Sequence, residues 1–344
     1  MMQEKKLRKP RWPVAFAASA ALALGVGVYG WATQSGYFAF LPDQAHPTVN
    51  AVTVPGGKPP APGSGFYFVD VKLLQANLIE KYWAEYLVHG ASLVPDKEVL
   101  APGQSETQRV HEDFQAMATS QETAQAVAER AAGLKVQLVP LGAQIAYLYP
   151  NMPAQKAGVE VGDIITAING RKVANATQMT SAMSGIAPGQ SVRLALRRGK
   201  TVTVTTVRDP KDHSRALVGV GIADAVHIGR IPVHVHFSTA GIGGPSAGFA
   251  FSLDIYDSLT GRKLLHGNKV AVTGELALNG SVIPIGGVKQ KTIGAIEAGA
   301  QTFIVPKGGG NYRDAKAAAD GKIKIVGVTS FSQALAAVHH LHPR

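Results

Sequence analysis

Two glycine-rich segments carry the residues best suited to chemistry. The first, Gly241-Ile242-Gly243-Gly244-Pro245-Ser246-Ala247-Gly248, precedes a largely apolar run from Phe249 to Ile255. Small residues around a serine at a helix start let a substrate approach closely, and the first amides of the helix can hold a developing oxyanion. Gly244-x-Ser246-x-Gly248 also satisfies the three fixed positions of a nucleophile elbow, a pattern short enough that a structural loop fits it equally. The second segment contains Thr273-Gly274-Glu275-Leu276 and then Ile283-Pro284-Ile285-Gly286-Gly287-Val288-Lys289-Gln290-Lys291-Thr292-Ile293-Gly294-Ala295. It offers two lysines. Two residues apart on a helix, Lys289 and Lys291 point to different faces, so only one reaches a given partner. The chain has no cysteine. That excludes a thiol nucleophile, a disulfide framework and a zinc site built on Cys, and leaves Ser, Thr, Lys or a carboxylate for nucleophilic work.

Other polar features read more plainly. His234 and His236 alternate within Pro232-Val233-His234-Val235-His236-Phe237, on one face of a strand, as structural or partly exposed histidines. No third ligand at a familiar spacing makes them a metal site, and neither metal nor cofactor is expected. The formal net charge is +11, but Lys5, Lys6, Arg8, Lys9 and Arg11 against Glu4 supply +4 of it, and no second basic block follows. With aromatics at 7%, a nucleic-acid footprint is not expected. Hydrophobic residues at 46% and charged residues at 17% exclude a disordered chain, and 344 residues suggest two or three folded units.

The elements that must position these residues begin with an uncharged stretch from Trp12 to Pro42, almost wholly apolar or small between Val14 and Tyr29. It is long enough to span a bilayer, and the Lys/Arg block before it places residues 1–11 in the cytoplasm and the rest outside. Trp12, Tyr29 and Trp31 flank it as interfacial aromatics do, which favours a transmembrane anchor over a cleaved signal peptide with its site near Gly30-Trp31-Ala32. The expectation is a single-pass membrane protein with its catalytic part extracytoplasmic. From about Asp43 to Gly65 the Pro/Gly density reads as linker. Phe66 to Val71 has strand composition, Asn77 to Val88 looks helical, and Ser105 to Ala132 forms a polar helical stretch.

A compact segment follows, with Asn169-Gly170 as a hairpin turn between Ile164–Ile168 and Arg171–Val173, and a second hairpin joining Val192–Leu196 to Thr201–Val207. The run Pro153-Ala154-Gln155-Lys156-Ala157-Gly158-Val159-Glu160-Val161-Gly162-Asp163-Ile164-Ile165, with Ile168-Asn169-Gly170, resembles the PDZ domains attached to bacterial envelope proteases. The resemblance implies an extended peptide added to a sheet edge. That edge is expected near Ala143–Leu148, entered through Leu141-Gly142, which makes Leu141, Gly142, Ala143 and Ile145 the peptide-binding residues. The groove helix is expected near Thr177–Ser184.

From about Ala216 onward strands alternate with helices, as in an α/β or α+β domain. The two glycine-rich segments, in this order and with Ala300-Gln301-Thr302-Phe303-Ile304-Val305-Pro306 after them, resemble the proteolytic domain of Lon-type Ser-Lys peptidases. The whole order is similar to the membrane-anchored PDZ-Lon proteins of bacteria. The resemblance implies Ser246 as nucleophile and Lys291 as general base, with Thr273 positioning the lysine and Gly244 and Pro245 shaping the turn. Chemistry agrees with such a pair, because a buried neutral amine can take the Ser proton without any histidine. One departure is Gly243, where ATP-dependent members often carry an acid. No G-x-x-x-x-G-K-[ST] phosphate loop occurs, so ATP-independent cleavage of short, exposed or unfolded segments is expected.

The fold class is therefore α+β: a transmembrane helix, a PDZ-like β-rich domain and a Lon-type domain with a mixed sheet. The expected boundaries are a basic tail 1–11, anchor 12–34, linker 35–65, an N-terminal extracytoplasmic region 66–133, the PDZ-like domain 134–209 and the proteolytic domain 210–344. Partners are peptides or unfolded proteins and the membrane, and by resemblance alone a homo-oligomer such as a hexamer. Two other readings remain. One is an esterase of α/β-hydrolase type using Ser246 with Asp314 and His339, and the other is a scaffold that binds peptides without cutting them.

Overall fold

The computed structural model describes residues 12–239 and 241–343; the basic tail 1–11 lies outside the described residues. Helix α1 (Trp12–Ala32) leads into strand β1 (Gln34–Pro47), and β2 (Gly65–Asn77) runs directly into α2 (Leu78–Leu87), followed by β3 (Ser92–Pro95) and the long helix α3 (Glu106–Ala131). The middle of the chain forms β4 (Leu138–Leu148), β5 (Ile164–Ile168), α4 (Ala176–Met183), β6 (Ser191–Leu196), β7 (Thr201–Thr205) and β8 (Val220–Ile228). The last third adds α5 (Gly248–Leu259), β9 (Lys269–Val272), α6 (Val288–Glu297), β10 (Thr302–Pro306), α7 (Asn311–Ala319), β11 (Lys324–Val328) and α8 (Phe331–His339).

Two compact units result. One joins the segment ending at Leu134 to the segment starting at Val233, and the other is Lys135–Pro232. The first unit is built on a mixed sheet in the order β11-β10-β9-β2-β1-β3, with β1 antiparallel to β2 and β3, and β2, β9, β10 and β11 parallel. Alternation along β2 sorts its side chains. Phe66 and Phe68 enter the core with Phe249, Phe251 and Leu253 of α5, while Val69 joins Val288 and Ala295 of α6 in a second cluster with Phe303. Helix α3 lies across α5; its start is fixed by a capping box in which Ser105 accepts from the Gln108 amide and Gln108 accepts from the Ser105 amide.

The stretch expected to be linker from Asp43 is strand up to Pro47, within a β1 that begins at Gln34. Phe38, Ala39 and Leu41 are buried, because β1 is enclosed between β2 and β3. Pairing with partners distant in sequence decides this, and the local Pro/Gly density does not report it.

The membrane anchor is corrected by the structure. Helix α1 does form, yet among the described residues no helix is long and apolar enough to cross a membrane. Gly30 is buried, and Ile79 Cγ1 stands 3.0 Å from where its Cβ would be, so this end of the helix packs on α2. The transmembrane element of the fold class, the single-pass topology with an extracytoplasmic catalytic domain, and the membrane as a partner fall together.

The second unit is a β-rich fold with sheet order β8-β4-β5-β6-β7 and the two-residue strand Arg171–Lys172 paired to β5. The Asn169-Gly170 turn forms as its residues require, with φ 49° and 82°. Ile145, Ile165, Ile168, Met179 and Leu194 fill its core. The unit extends past residue 209 because β8 pairs with β4 from Val220↔Leu148 to Ile228↔Leu138.

Helix α6 approaches the first sheet through Gly294, where a Cβ would lie 2.2 Å from the Asp43 carbonyl oxygen and 3.0 Å from Val69 Cγ1. Replacing Gly294 by Ala must push α6 off the sheet. We expect Gly294→Ala to lower stability by about 1–3 kcal/mol, seen as a lower urea midpoint, whereas Gly286→Ala, with open space around its Cβ, leaves the midpoint unchanged.

Candidate active site

Ser246 sits in a single 3₁₀ turn, Pro245–Ala247, that runs on into α5. Gly244 opens the turn at φ 85°, a left-handed conformation that glycine adopts without a Cβ penalty. The turn is held from two sides. From α3, Ser120 Oγ donates to the Pro245 carbonyl at 2.8 Å and the Asp113 carbonyl accepts from the Gly244 amide at 2.8 Å. From the end of β9, the Gly274 amide donates to the Ser246 carbonyl at 3.1 Å.

The space beside Gly243 is taken by Asp113, whose Cβ is 3.1 Å from where a side chain at 243 would begin. The Asp113 carboxylate is paired with Arg109 at 2.7 Å.

Lys291 lies in the first turn of α6, whose N-cap is Gly287, and its side chain passes into the protein. Only 3% of Lys291 is exposed. Its Nζ donates to Ser246 Oγ at 2.5 Å and to Thr273 Oγ1 at 3.3 Å. Lys289 is exposed and lines a separate cleft of about 700 Å³ with Asn311 and Asp314, so the two lysines do face apart. Burial drives the Lys291 amine down to about 8, partly opposed by the negative charge of Asp70. A lysine at that value is substantially neutral in mildly alkaline solution and can accept a proton from the serine beside it.

The structure thus brings Ser246, Lys291 and Thr273 together, with Gly244 and Pro245 shaping the turn. It does not bring Asp314 or His339 to them. Asp314 pairs with Arg313 at 3.0 Å, His339 contacts the His340 ring, and no hydrogen bond joins either to Ser246 among the described residues.

Sequence reasoning missed Ser120, Asp113 and Asp70. The first two sit in a polar helix with nothing to mark them. Asp70 left a signal, a charge inside the strand run Phe66–Val71 at the alternation of Phe66 and Phe68.

The expected peptide edge is corrected. Leu141, Gly142, Ala143 and Ile145 lie on β4, which is enclosed between β8 and β5, and Ala143 and Ile145 are fully buried. The outer strand on this side of the sheet is β8, and β7 is the outer strand on the other. Between β8 and α4 lies a groove of about 870 Å³, lined by Met179, Thr180 and Met183 on the helix, Val220 and Ile222 on the strand, and closed by Leu217-Val218-Gly219. Helix α4 coincides with the expected groove helix; the strand does not, because β8 comes after the segment read as the domain's end.

The family model of the Lon protease (S16) C-terminal proteolytic domain matches residues 154–338, more than half of the chain. The chain is 42% identical over 87 residues to the Lon protease of Mycoplasma pneumoniae, covering 25% of this chain and 11% of that protein. It is 39% identical over 127 residues to the Lon protease of Malacoplasma penetrans, covering 36% and 14%. The chain thus spans only a small part of the length of the curated relatives it matches. Among solved structures it is similar to the PDZ domain of an SdrC-like protein from Listeria monocytogenes, with TM-score 0.22 and 18% identity over 24% of this chain and 86% of that one.

The buried amine also sets a stability signature. Between about pH 8 and 10.5 the unfolded lysine holds a proton that the folded one has lost, so stability rises with pH across this window. Below about 8 the folded protein carries the full cost of the buried charge. Lys291→Met is expected to stabilise the fold by on the order of 3 kcal/mol at pH 7, the gain fading toward pH 10.5 in urea denaturation.

Proposed function

The chain belongs to the Lon protease (S16) C-terminal proteolytic domain family of serine peptidases, and we propose that it hydrolyses peptide bonds through a Ser246–Lys291 dyad. The observation that carries the reading is the 2.5 Å contact between Lys291 Nζ and Ser246 Oγ, made by a lysine whose burial lowers it to about 8. Ser246 Oγ attacks the peptide carbonyl while neutral Lys291 takes its proton. The amides at the start of the 3₁₀ turn and α5 face the developing oxyanion. The tetrahedral intermediate collapses as Lys291 passes the proton to the leaving amine, giving an acyl-enzyme and a free amino terminus. Water then attacks the ester, delivering its proton to Lys291, and on collapse the proton returns to Ser246 Oγ. Thr273 Oγ1, at 3.3 Å, limits the amine's freedom between these transfers.

Peptides are the substrate class, and extended segments of unfolded or exported proteins are the proposed physiological form. The β8–α4 groove selects among them by pairing an extended chain to the outer edge of β8 and holding an apolar side chain against Met179, Met183 and Ile222. Cleavage proceeds without nucleotide.

The test compares the full chain with Ser246→Ala, Lys291→Ala and Lys289→Ala on an unfolded protein and a peptide library, with and without ATP, products read by mass spectrometry. Loss of product in Ser246→Ala and a fall of about 10²–10⁴-fold in Lys291→Ala, with Lys289→Ala active, supports the dyad. Undiminished cleavage by Lys291→Ala overturns it. Wild-type kcat/KM should rise with pH through about 8, because below that value the amine is protonated and cannot accept from Ser246. For the groove, Ile222→Glu should raise KM for the unfolded protein while leaving kcat on short peptides intact; equal KM values would remove the selecting role.

A further inference from the structure

Helix α3 presents one stripe to the chain that leads into Ser246. Met117, Ser120 and Ala124 recur along it at helical spacing, Met117 and Ala124 pack in the same core cluster as Ala247 and Phe249, and Ser120 between them is buried. A hydroxyl among apolar neighbours needs a partner, and Ser120 Oγ donates to the Pro245 carbonyl at 2.8 Å. The fit leaves no slack, because a Cβ on Gly248 would fall 2.0 Å from Ser120 Oγ and 3.0 Å from the Ser120 carbonyl oxygen. The same helix holds the approach to the serine at other points. Glu129 accepts from the Val233 amide at 3.4 Å, Gln121 Nε2 donates to Thr239 Oγ1 at 3.2 Å and the Asp113 carbonyl accepts from the Gly244 amide at 2.8 Å. Of these bonds, the one from Ser120 falls on the peptide unit that carries the nucleophile's own amide.

That position matters because a trans peptide is planar, with its carbonyl and its N–H pointing in opposite directions. The Pro245–Ser246 bond is trans. Fixing the Pro245 carbonyl on α3 therefore turns the Ser246 N–H away from α3. The turn's own bond runs from the Gly248 amide to that same carbonyl, and proline supplies no N–H ahead of it. The Ser246 amide is thus the first donor of the segment and has no acceptor inside the turn. We infer that Ser120 is a positioning residue for the reaction, its hydroxyl locking the Pro245–Ser246 peptide so that the Ser246 N–H is aimed at the oxyanion formed when Ser246 Oγ attacks. This rests on the Ser246–Lys291 reading and divides the labour within it. Lys291 moves the proton, while α3, through one hydrogen bond, sets the direction of the dipole that meets the developing charge. Such a dipole is effective because it does not have to reorient as the charge forms. A peptide held by its own turn alone would keep less of that advantage.

The experiment uses the full chain as wild type, Ser120→Ala, Ser120→Cys and Ser120→Thr. Both kcat and KM on a short peptide are measured across pH, together with the inhibition constant of a peptide boronate, whose serine adduct is tetrahedral and places an oxygen where the oxyanion forms. Loss of the hydroxyl should lower kcat by about 10–10²-fold, less than removal of an oxyanion donor itself, with KM unchanged. The boronate constant should rise by the factor by which kcat/KM falls, and the pH midpoint should stay at about 8 because the Lys291 amine is untouched. Ser120→Thr keeps the hydroxyl and should recover most of kcat. Ser120→Cys, a weak donor of similar shape, should behave as Ser120→Ala does, and it decides the matter if alanine leaves the protein unfolded. Wild-type kcat in folded Ser120→Ala, or a loss in which KM and the pH midpoint move together with kcat, overturns the role of Ser120 while leaving the dyad standing if Ser246→Ala and Lys291→Ala are inactive. Undiminished cleavage by Lys291→Ala removes the dyad, and the positioning role falls with it.

Discussion

The site in the first unit turns on the burial of one amine, that of Lys291. Taking the Lys291 ammonium out of water is costly, and the protein recovers part of that cost with Ser246, Thr273 and the field of Asp70 rather than with a full ion pair. A complete salt bridge would have kept the lysine charged and useless as a base. Leaving it slightly under-compensated is what produces a base at neutral to alkaline pH. The stability lost in this way is of the kind that active sites carry.

Such a balance tolerates little slack, and the packing around it is correspondingly close. The serine turn is pinned by Ser120 from α3 and by Gly274 from the end of β9. Gly248 leaves no room for a Cβ, which would fall 2.0 Å from Ser120 Oγ, and Gly294 allows α6 to sit directly on the carbonyl of Asp43. Removing side chains at these contacts lets three elements converge within hydrogen-bond distance of one another. A serine and a lysine 45 residues apart in sequence are thereby brought together by close packing of their elements and by the hydrogen bonds that hold the serine turn.

The unit that holds the dyad is discontinuous. Its sheet takes β1, β2 and β3 from before the β-rich unit and β9, β10 and β11 from after it. Asp113 and Ser120, which hold the serine turn, come from the early half, and Ser246 and Lys291 come from the late half. The β-rich unit occupies the interval between the two halves in sequence and closes its own sheet with β8, just before the chain returns.

Local chemistry was readable from the residues alone. A serine among Gly244, Pro245 and Gly248 announces a tight turn before a helix; Asn169-Gly170 announces its hairpin; Lys289 and Lys291 must diverge on a helix. These follow from φ/ψ limits and helical period, which act over a few residues. The apolar run at Trp12–Ala32 gave a helix, yet among the described residues no helix is long and apolar enough to cross a membrane. Which lysine is buried, that Asp70 stands near it, that β1 is a strand rather than a linker and that β8 rather than β4 is the outer edge were decided by tertiary structure. Each depends on pairing between segments far apart in sequence, and burial, edge position and the field at a titratable group exist only once the sheet has closed around them.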